Sequence, residues 1–180
     1  MYGWNFRLEV LKVGSCGNLN ADTICSVLAK SASCRTLTVL DLWRSKSLTS
    51  RGVFSLTYLP NLRDVDLGWC SGVDANTGCL VALANSCKQL QKLFLSAQRQ
   101  LSDRDVNAIR VNLSSGLQKL NIMGTRNVSA GSVIHLARDS SKSLKLLDIG
   151  YCEQLEDPGF LSQLKDIIPN CLIVSSFNLE

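Results

Sequence analysis

Eight cysteines and a single histidine are the residues of this 180-residue chain best equipped for chemistry. A thiolate can attack a carbonyl, two thiols can oxidise to a disulfide, and clustered cysteine and histidine can hold zinc. Metal binding needs converging ligands, yet the sequence has no C-x-x-C and offers only His135 as an imidazole. No metal and no cofactor is expected. Catalysis would need His135 beside a serine or cysteine and a carboxylate. His135 falls in "SVIHLAR", a helical pattern, and "GTRNVSAG" lacks the lysine and spacing of a phosphate loop. An enzyme is therefore not expected; a Ser/Cys-His-carboxylate set assembled in space is the observation that would reopen the question.

The cysteine that closes "LRDVDLGWC", Leu62 to Cys70, gains its meaning from recurrence. Leucine anchors stand at Leu8, Leu37, Leu62, Leu90, Leu117 and Leu144, spaced by 29, 25, 28, 27 and 27 residues. Each opens an L-x-x-L-x-L run, as in "LTVLDL" and "LQKLFL", with Val13, Val65, Ile122 and Ile149 as aliphatic substitutes. Eleven residues after each anchor comes Leu19, Leu48, Val73, Leu101, Val128 or Leu155, followed by Asn20, Thr49, Asp74, Ser102, Ser129 or Glu156. All but Glu156 are good helix N-caps, and apolar residues at helical spacing follow. Each unit is thus a short strand, a turn and a helix. The stretch from Val53 to Leu62 has room only for an abbreviated helix that ends before Pro60.

A unit of this kind cannot bury its apolar face alone, so units stack. The expected fold is α/β: one leucine-rich-repeat solenoid over residues 1–180, a right-handed horseshoe of about six repeats. Its parallel sheet lines the concave face and its helices the convex face. "PNCLIVSSF" keeps strand-like residues without the full pattern and reads as a terminal cap over about 167–180. The N-terminal end, with only "MYGWNF" before the first unit, is expected to be open unless Trp4 and Phe6 pack over it.

Cysteine follows the anchor by eight residues at Cys16, Cys70 and Cys152, and precedes it by three at Cys34 and Cys87. Past the strand it should turn inward, a small apolar body with a weak S–H donor. Equivalent cysteines two repeats apart are separated by roughly 10 Å of stacking, beyond disulfide reach. Pairing of Cys16 with Cys25 inside one unit stays open.

The pattern C-x-x-L-x-x-L-x-L-x-x-C resembles the cysteine-containing repeats of F-box and leucine-rich-repeat proteins. From about residue 37 onward, "LTVLDLWRSKSLTSRG", "LDLGWCSGVDANTGCLVALANSCKQLQKLFLSAQRQLSD" and "LLDIGYCEQLED" carry that likeness. The resemblance implies the substrate-recognition arc of a cullin-RING ubiquitin ligase, with a mitochondrial association and a restraining role in mitophagy. Leu8 already begins the first unit, so an F-box is expected to be absent from these residues. A Skp-type adaptor and cullin would be reached only through that missing box. The alternative is a stand-alone adaptor or scaffold with no ubiquitin chemistry.

Composition narrows the partners. The 19 basic and 15 acidic residues are interspersed, with a net charge of +4 and no basic block, so nucleic acid is not expected. No apolar run approaches the roughly 18 residues of a membrane span, and the first residues lack a signal-peptide pattern. Membrane insertion is not expected, and an intracellular, cytoplasmic or nuclear setting is, mitochondrion-associated if the resemblance extends that far. Eight thiols suit a reducing compartment.

The expected partner is a protein target on the concave face. Strand alternation points Lys12, Asp41, Asp64, Asp66 and Phe94 away from the core, with Asn121 and Asp148 further on. Just beyond lie Trp43, Arg44, Trp69, Met123 and Tyr151. Asp41 and Asp66 should be neighbours, with Lys12 and Arg44 placed to compensate their repulsion. Gly68 would leave room for a partner to approach the backbone. Acidic, aromatic and apolar contacts around Trp69 would suit a segment with basic and apolar side chains.

Overall fold

Alternating aliphatic residues extend the chain for only three residues at a time, because the polar turn that follows redirects it. The computed structural model describes residues 7–176. Strands β1 (Val10–Lys12), β2 (Val39–Asp41), β3 (Asp64–Asp66), β4 (Lys92–Phe94), β5 (Lys119–Asn121), β6 (Leu146–Asp148) and β7 (Leu172–Val174) form one parallel sheet in chain order. Register is identical throughout: Val39 pairs with Asp64, Asp64 with Lys92, Lys92 with Lys119. A strand therefore begins two residues after each anchor, and equivalent side chains stack in ladders along the sheet.

Between strands run helices α1 (Ala21–Lys30), α2 (Ser50–Leu56), α3 (Cys79–Ser86), α4 (Asp103–Leu113), α5 (Ala130–Asp139) and α6 (Pro158–Ile167), each packed on the next. The short α2 ends at Leu56, ahead of Pro60. Asn20 caps α1 by accepting the Thr23 N–H at 2.9 Å, and Thr49 caps α2 through the Arg51 N–H. Ser129 caps α5 through the Ser132 N–H. At α4 the Asp105 carboxylate accepts both the N–H and the hydroxyl of Ser102. The third unit differs: Asp74 caps a 3-10 turn, Ala75–Thr77, and left-handed Gly78 restarts the chain into α3. In the last unit Glu156 is not the cap. Asp157 is, accepting the Phe160 N–H at 2.7 Å with Pro158 in the first helical turn, since the shorter carboxylate reaches the backbone.

The core is a stack of aliphatic layers between sheet and helices. Leu37, Leu62, Leu90 and Leu117 are buried, as are Leu42, Leu67, Leu95 and Ile122, which form a second ladder five residues after the anchors. The first unit stands apart: Val10 is 51% and Leu19 44% exposed, whereas Leu48 and Leu101 at the same place as Leu19 are fully buried. The N-terminal end is expected to be open unless Trp4 and Phe6 pack over it, and both of these lie outside the described residues. At the other end the expected cap turns out to be a seventh strand, β7, hydrogen-bonded in register to β6. Backbone pairing requires only extended conformation, which "CLIV" supplies without the leucine anchor. Residues 177–180 of that cap lie outside the described residues.

Candidate functional site

A repeated turn carries the exposed residues. The residue seven places after each anchor is left-handed: Ser15, Arg44, Trp69, Ala97 and Tyr151 have φ between 55° and 59°, and Gly124 has 71°. Only glycine takes this conformation freely; other residues pay roughly 1–2 kcal/mol. The turn is held by its neighbours. Each left-handed N–H donates across to the next unit, Arg44 to Gly68 O at 2.9 Å, Trp69 to Ser96 O at 2.8 Å and Ala97 to Met123 O at 2.7 Å. One residue earlier, a strand-end side chain closes the turn. Asp41 Oδ1 accepts the Trp43 N–H at 2.9 Å, Asp66 the Gly68 N–H at 2.8 Å, Asn121 the Met123 N–H and Asp148 the Gly150 N–H, both at 3.0 Å.

The aspartates therefore have work of their own. Asp41 and Asp66 are neighbours in register, as expected. Lys12 and Arg44 do not compensate them: among the described residues neither cation pairs with either carboxylate, because turn N–H groups take those oxygens and Arg44 lies over the Trp43 ring, 5.1 Å from its centroid. Burial, opposed by the Gly68 N–H and aided by Asp41 and Asp64, pushes the Asp66 carboxyl above its usual range. Asp64 forms an ion pair with Lys92 at 2.9 Å. Lys92 and Lys119, side by side on the same ladder, make the middle of the sheet mixed in charge rather than acidic.

Gly68 does not open the backbone to a partner. A Cβ there would stand 2.3 Å from Ser96 Oγ and 3.3 Å from Trp43 Cδ1, so the glycine serves close packing within the sheet's rim. Trp43 is 37% exposed over it, and Phe94 is half-buried on the next strand, in register with Asp66.

Trp69, Met123 and Tyr151, drawn from three units, meet in one cavity of about 530 Å³ over the turns that follow β3 to β6. Two residues that sequence reasoning missed complete it, Arg99 and Arg126. Both stand nine residues after an anchor, a position whose identity varies too much along the chain to announce itself. Trp69 is 51% and Tyr151 63% exposed. Asp41, Trp43 and Arg44 lie outside this cavity, one unit toward the N-terminal end, and Phe94 lies outside it on strand β4.

The cysteines are structural where the stack is complete. Cys70 Sγ donates to Leu42 O at 3.1 Å and Cys152 Sγ to Ile122 O at 3.3 Å, each reaching back to the preceding unit. Gln98, at the same place, does the same with its amide: Nε2 donates to Leu67 O at 2.7 Å. Cys87 Sγ lies 3.4 Å from Leu59 O. Burial pushes Cys70 up to about 11 and Cys25 and Cys87 up to about 12. Cys16 is a correction: it is exposed, because no earlier unit lies beside it among the described residues. All eight thiols are free, Cys16 and Cys25 included.

Asp103, Ser129, Ser132 and His135 line one groove between α4 and α5. They do not make a relay, since the Ser132 hydroxyl donates to Asp103 at 2.7 Å and to Ser129 O, while among the described residues His135 has no hydrogen bond. Partial burial raises the Asp103 carboxyl, but bonds from the Ser129 N–H and Ser132 outweigh it and hold it below its usual value. Asp103 is a helix-linking acceptor. No group of three or more potential metal ligands occurs among the described residues, and no helix there is long and apolar enough to cross a membrane.

The comparisons agree with this geometry. F-box/LRR-repeat protein 4 of Bos taurus is 39% identical over 107 residues, 58% of this chain and 17% of that relative. A chain in the crystal structure of the yeast Rad7 and Elc1 complex superposes with a TM-score of 0.71 at 21% identity, covering 85% of this chain and 38% of that one. The molecule is a leucine-rich-repeat solenoid similar to part of an F-box/LRR-repeat protein. No family model matches it. The yeast likeness shows the leucine-rich-repeat solenoid alone, while the bovine one supports the F-box resemblance of the cysteine-bearing repeats. The chain spans 17% of that bovine relative, so activities of the whole relative do not transfer by similarity.

Proposed function

We propose that this leucine-rich-repeat domain is a target-recognition arc of a cullin-RING ubiquitin ligase receptor. The observation that carries the reading is the 39% identity to F-box/LRR-repeat protein 4 across 107 residues. Its sheet and rim would hold the target, through Asp41, Trp43, Arg44, Asp64, Asp66 and Phe94 on one side and Trp69, Met123 and Tyr151 on the other. An F-box elsewhere would recruit the Skp-type adaptor and cullin. The mitochondrial association that the sequence resemblance implies belongs to the same proposal.

Exposed aromatics held in costly backbone conformations support a binding role, because strain persists where the surroundings impose it and function uses it. The test fuses an F-box upstream of the 180 residues and follows polyubiquitin on proteins the arc captures in cells. Ubiquitination should require both the F-box and Trp69, and should be lost in Trp69→Ala with the protein still folded. Direct stoichiometric binding of the adaptor by the unfused chain would refute this division of labour. Capture that is unchanged by fusion, with no ubiquitin added, would favour a stand-alone scaffold.

A further inference from the structure

We infer that the cavity over the turns after β3 to β6 receives an acidic segment of a partner protein, seating a carboxylate beside an apolar side chain. The inference rests on the recognition role proposed above and names the chemistry of its occupant. Trp69, Met123 and Tyr151 supply the apolar lining, and Arg99 and Arg126 supply two cations from the same place in successive units. Both arginines are exposed, and among the described residues no carboxylate pairs with either. Three other cations are engaged within the domain: Lys92 with Asp64, Arg110 with Asp139, and Arg44 with the Trp43 ring. Glu153 follows at the same register one unit on but does not line the cavity.

The site is preorganised. Trp69, Gly124 and Tyr151 are all left-handed, and their N–H groups are tied to Ser96 O, Gly150 O and Ser176 Oγ at 2.8, 2.9 and 2.7 Å. Gly124 is the residue such a turn accepts without cost, so the tryptophan and tyrosine are kept against the local preference. Those bonds also decide between anions. With its turn N–H groups consumed, the cavity lacks the backbone nest that cradles phosphate, and the exposed guanidinium forks match a carboxylate. A volume of about 530 Å³ fits a recessed pocket for side chains rather than a protruding membrane-seeking face.

The experiment uses the 180-residue chain and the fluorescein-labelled peptide GSEDFLDSG, read by fluorescence anisotropy. Three companions replace its acidic residues with lysine, its Phe-Leu pair with glycines, or its acidic residues with phosphoserine. The parent peptide should bind saturably, and the lysine and glycine peptides at least tenfold more weakly. Arg99→Glu with Arg126→Glu should weaken the parent at least tenfold and strengthen the lysine peptide, while thermal melting stays within a few degrees. Lys142→Glu with Lys165→Glu makes the same change of net charge away from the cavity and should alter either affinity less than threefold.

Equal weakening by the two double variants would reduce the effect to long-range charge and overturn the site. So would tenfold tighter binding of the phosphoserine peptide, absence of any peptide binding, or arginine-dependent binding to phosphatidylserine vesicles alone. If targets are still captured while the peptides show no cavity-dependent preference, this site falls and the recognition role stands. If the peptides bind as expected but fused F-box adds no ubiquitin to captured proteins, the ligase reading falls and this site stands.

Discussion

Replacing Trp69 by alanine and, separately, by glycine divides backbone strain from side-chain contact. Fully covered, a tryptophan buries about 150–250 Å². At 51% exposure Trp69 covers roughly half of that, near 100 Å². At about 25 cal/mol per Å², and allowing for area already covered in the unfolded chain, either substitution should lose about 2 kcal/mol of packing. The two variants then differ only in backbone. With φ at 58° alanine keeps the left-handed penalty and glycine escapes it, which should make Trp69→Gly about 1 kcal/mol more stable than Trp69→Ala. For a domain of this size that is about 2–4 °C in melting temperature. Phe94 is the control: it sits in strand β4, where glycine should be the worse choice by about 0.5–1 kcal/mol. Both Trp69 variants should lose target or peptide binding alike, by about 2 kcal/mol. Chemical denaturation and thermal melting of all four proteins give the answer. A Trp69→Ala protein as stable as Trp69→Gly would refute the strain argument.

Asp66→Asn should be more stable than the native protein at pH 7, since asparagine can close the turn as Asn121 does and carries no charge to desolvate. Its folded-state value is raised, so native stability falls as pH rises from about the unfolded 3.8 through the folded value; the advantage of asparagine should vanish in acid, and a gap that widens there would contradict the sign. Thiol titration should find eight groups in unfolded, unreduced protein, with Cys16 reacting first in the native state and Cys25, Cys70 and Cys87 last, because burial holds those three above the solution pH. Gln98→Leu should cost about 1–3 kcal/mol by leaving Leu67 O unpaired, whereas Gln98→Cys should cost less, as Cys70 and Cys152 bond the same kind of carbonyl. Val10→Lys with Leu19→Lys should reduce concentration-dependent self-association in sedimentation, given how exposed the first layer is; an unchanged profile would place any association elsewhere.

What could be read in advance was periodic and local. The anchors, the aliphatic ladders, four of the six helix caps and the short helix before Pro60 were legible because each is set by residues within one turn or one unit, and six near-copies averaged out the exceptions. The cysteine was legible for the same reason, though only inside the stack; Cys16 has the motif but lacks the neighbour that would bury it. Asp157 and the seventh strand were less visible, since one-residue shifts of a cap and an anchorless strand leave no repeat to compare.

The candidate site was legible as a set of exposed side chains, but their roles were not. Asp41 and Asp66 read as surface charge, and only the folded turn revealed that their oxygens close the backbone. Gly68 read as open space, and only the neighbouring strands filled it with Ser96 and Trp43. The left-handed position of Trp69 and Tyr151 is hidden in sequence because just one of six units, at Gly124, carries the residue that announces it.

By itself, then, the sequence determined a right-handed stack of strand and helix, since binary pattern and capping act over short distances and every unit votes for the same answer. It also determined which residues leave the core. Tertiary structure alone decided which of these meet: Trp69, Arg99, Met123, Arg126 and Tyr151 come from four units, up to 82 positions apart, and converge only because parallel strands in fixed register set their turns side by side. That convergence depends on the roughly 4.8 Å step between strands, a distance no single unit encodes.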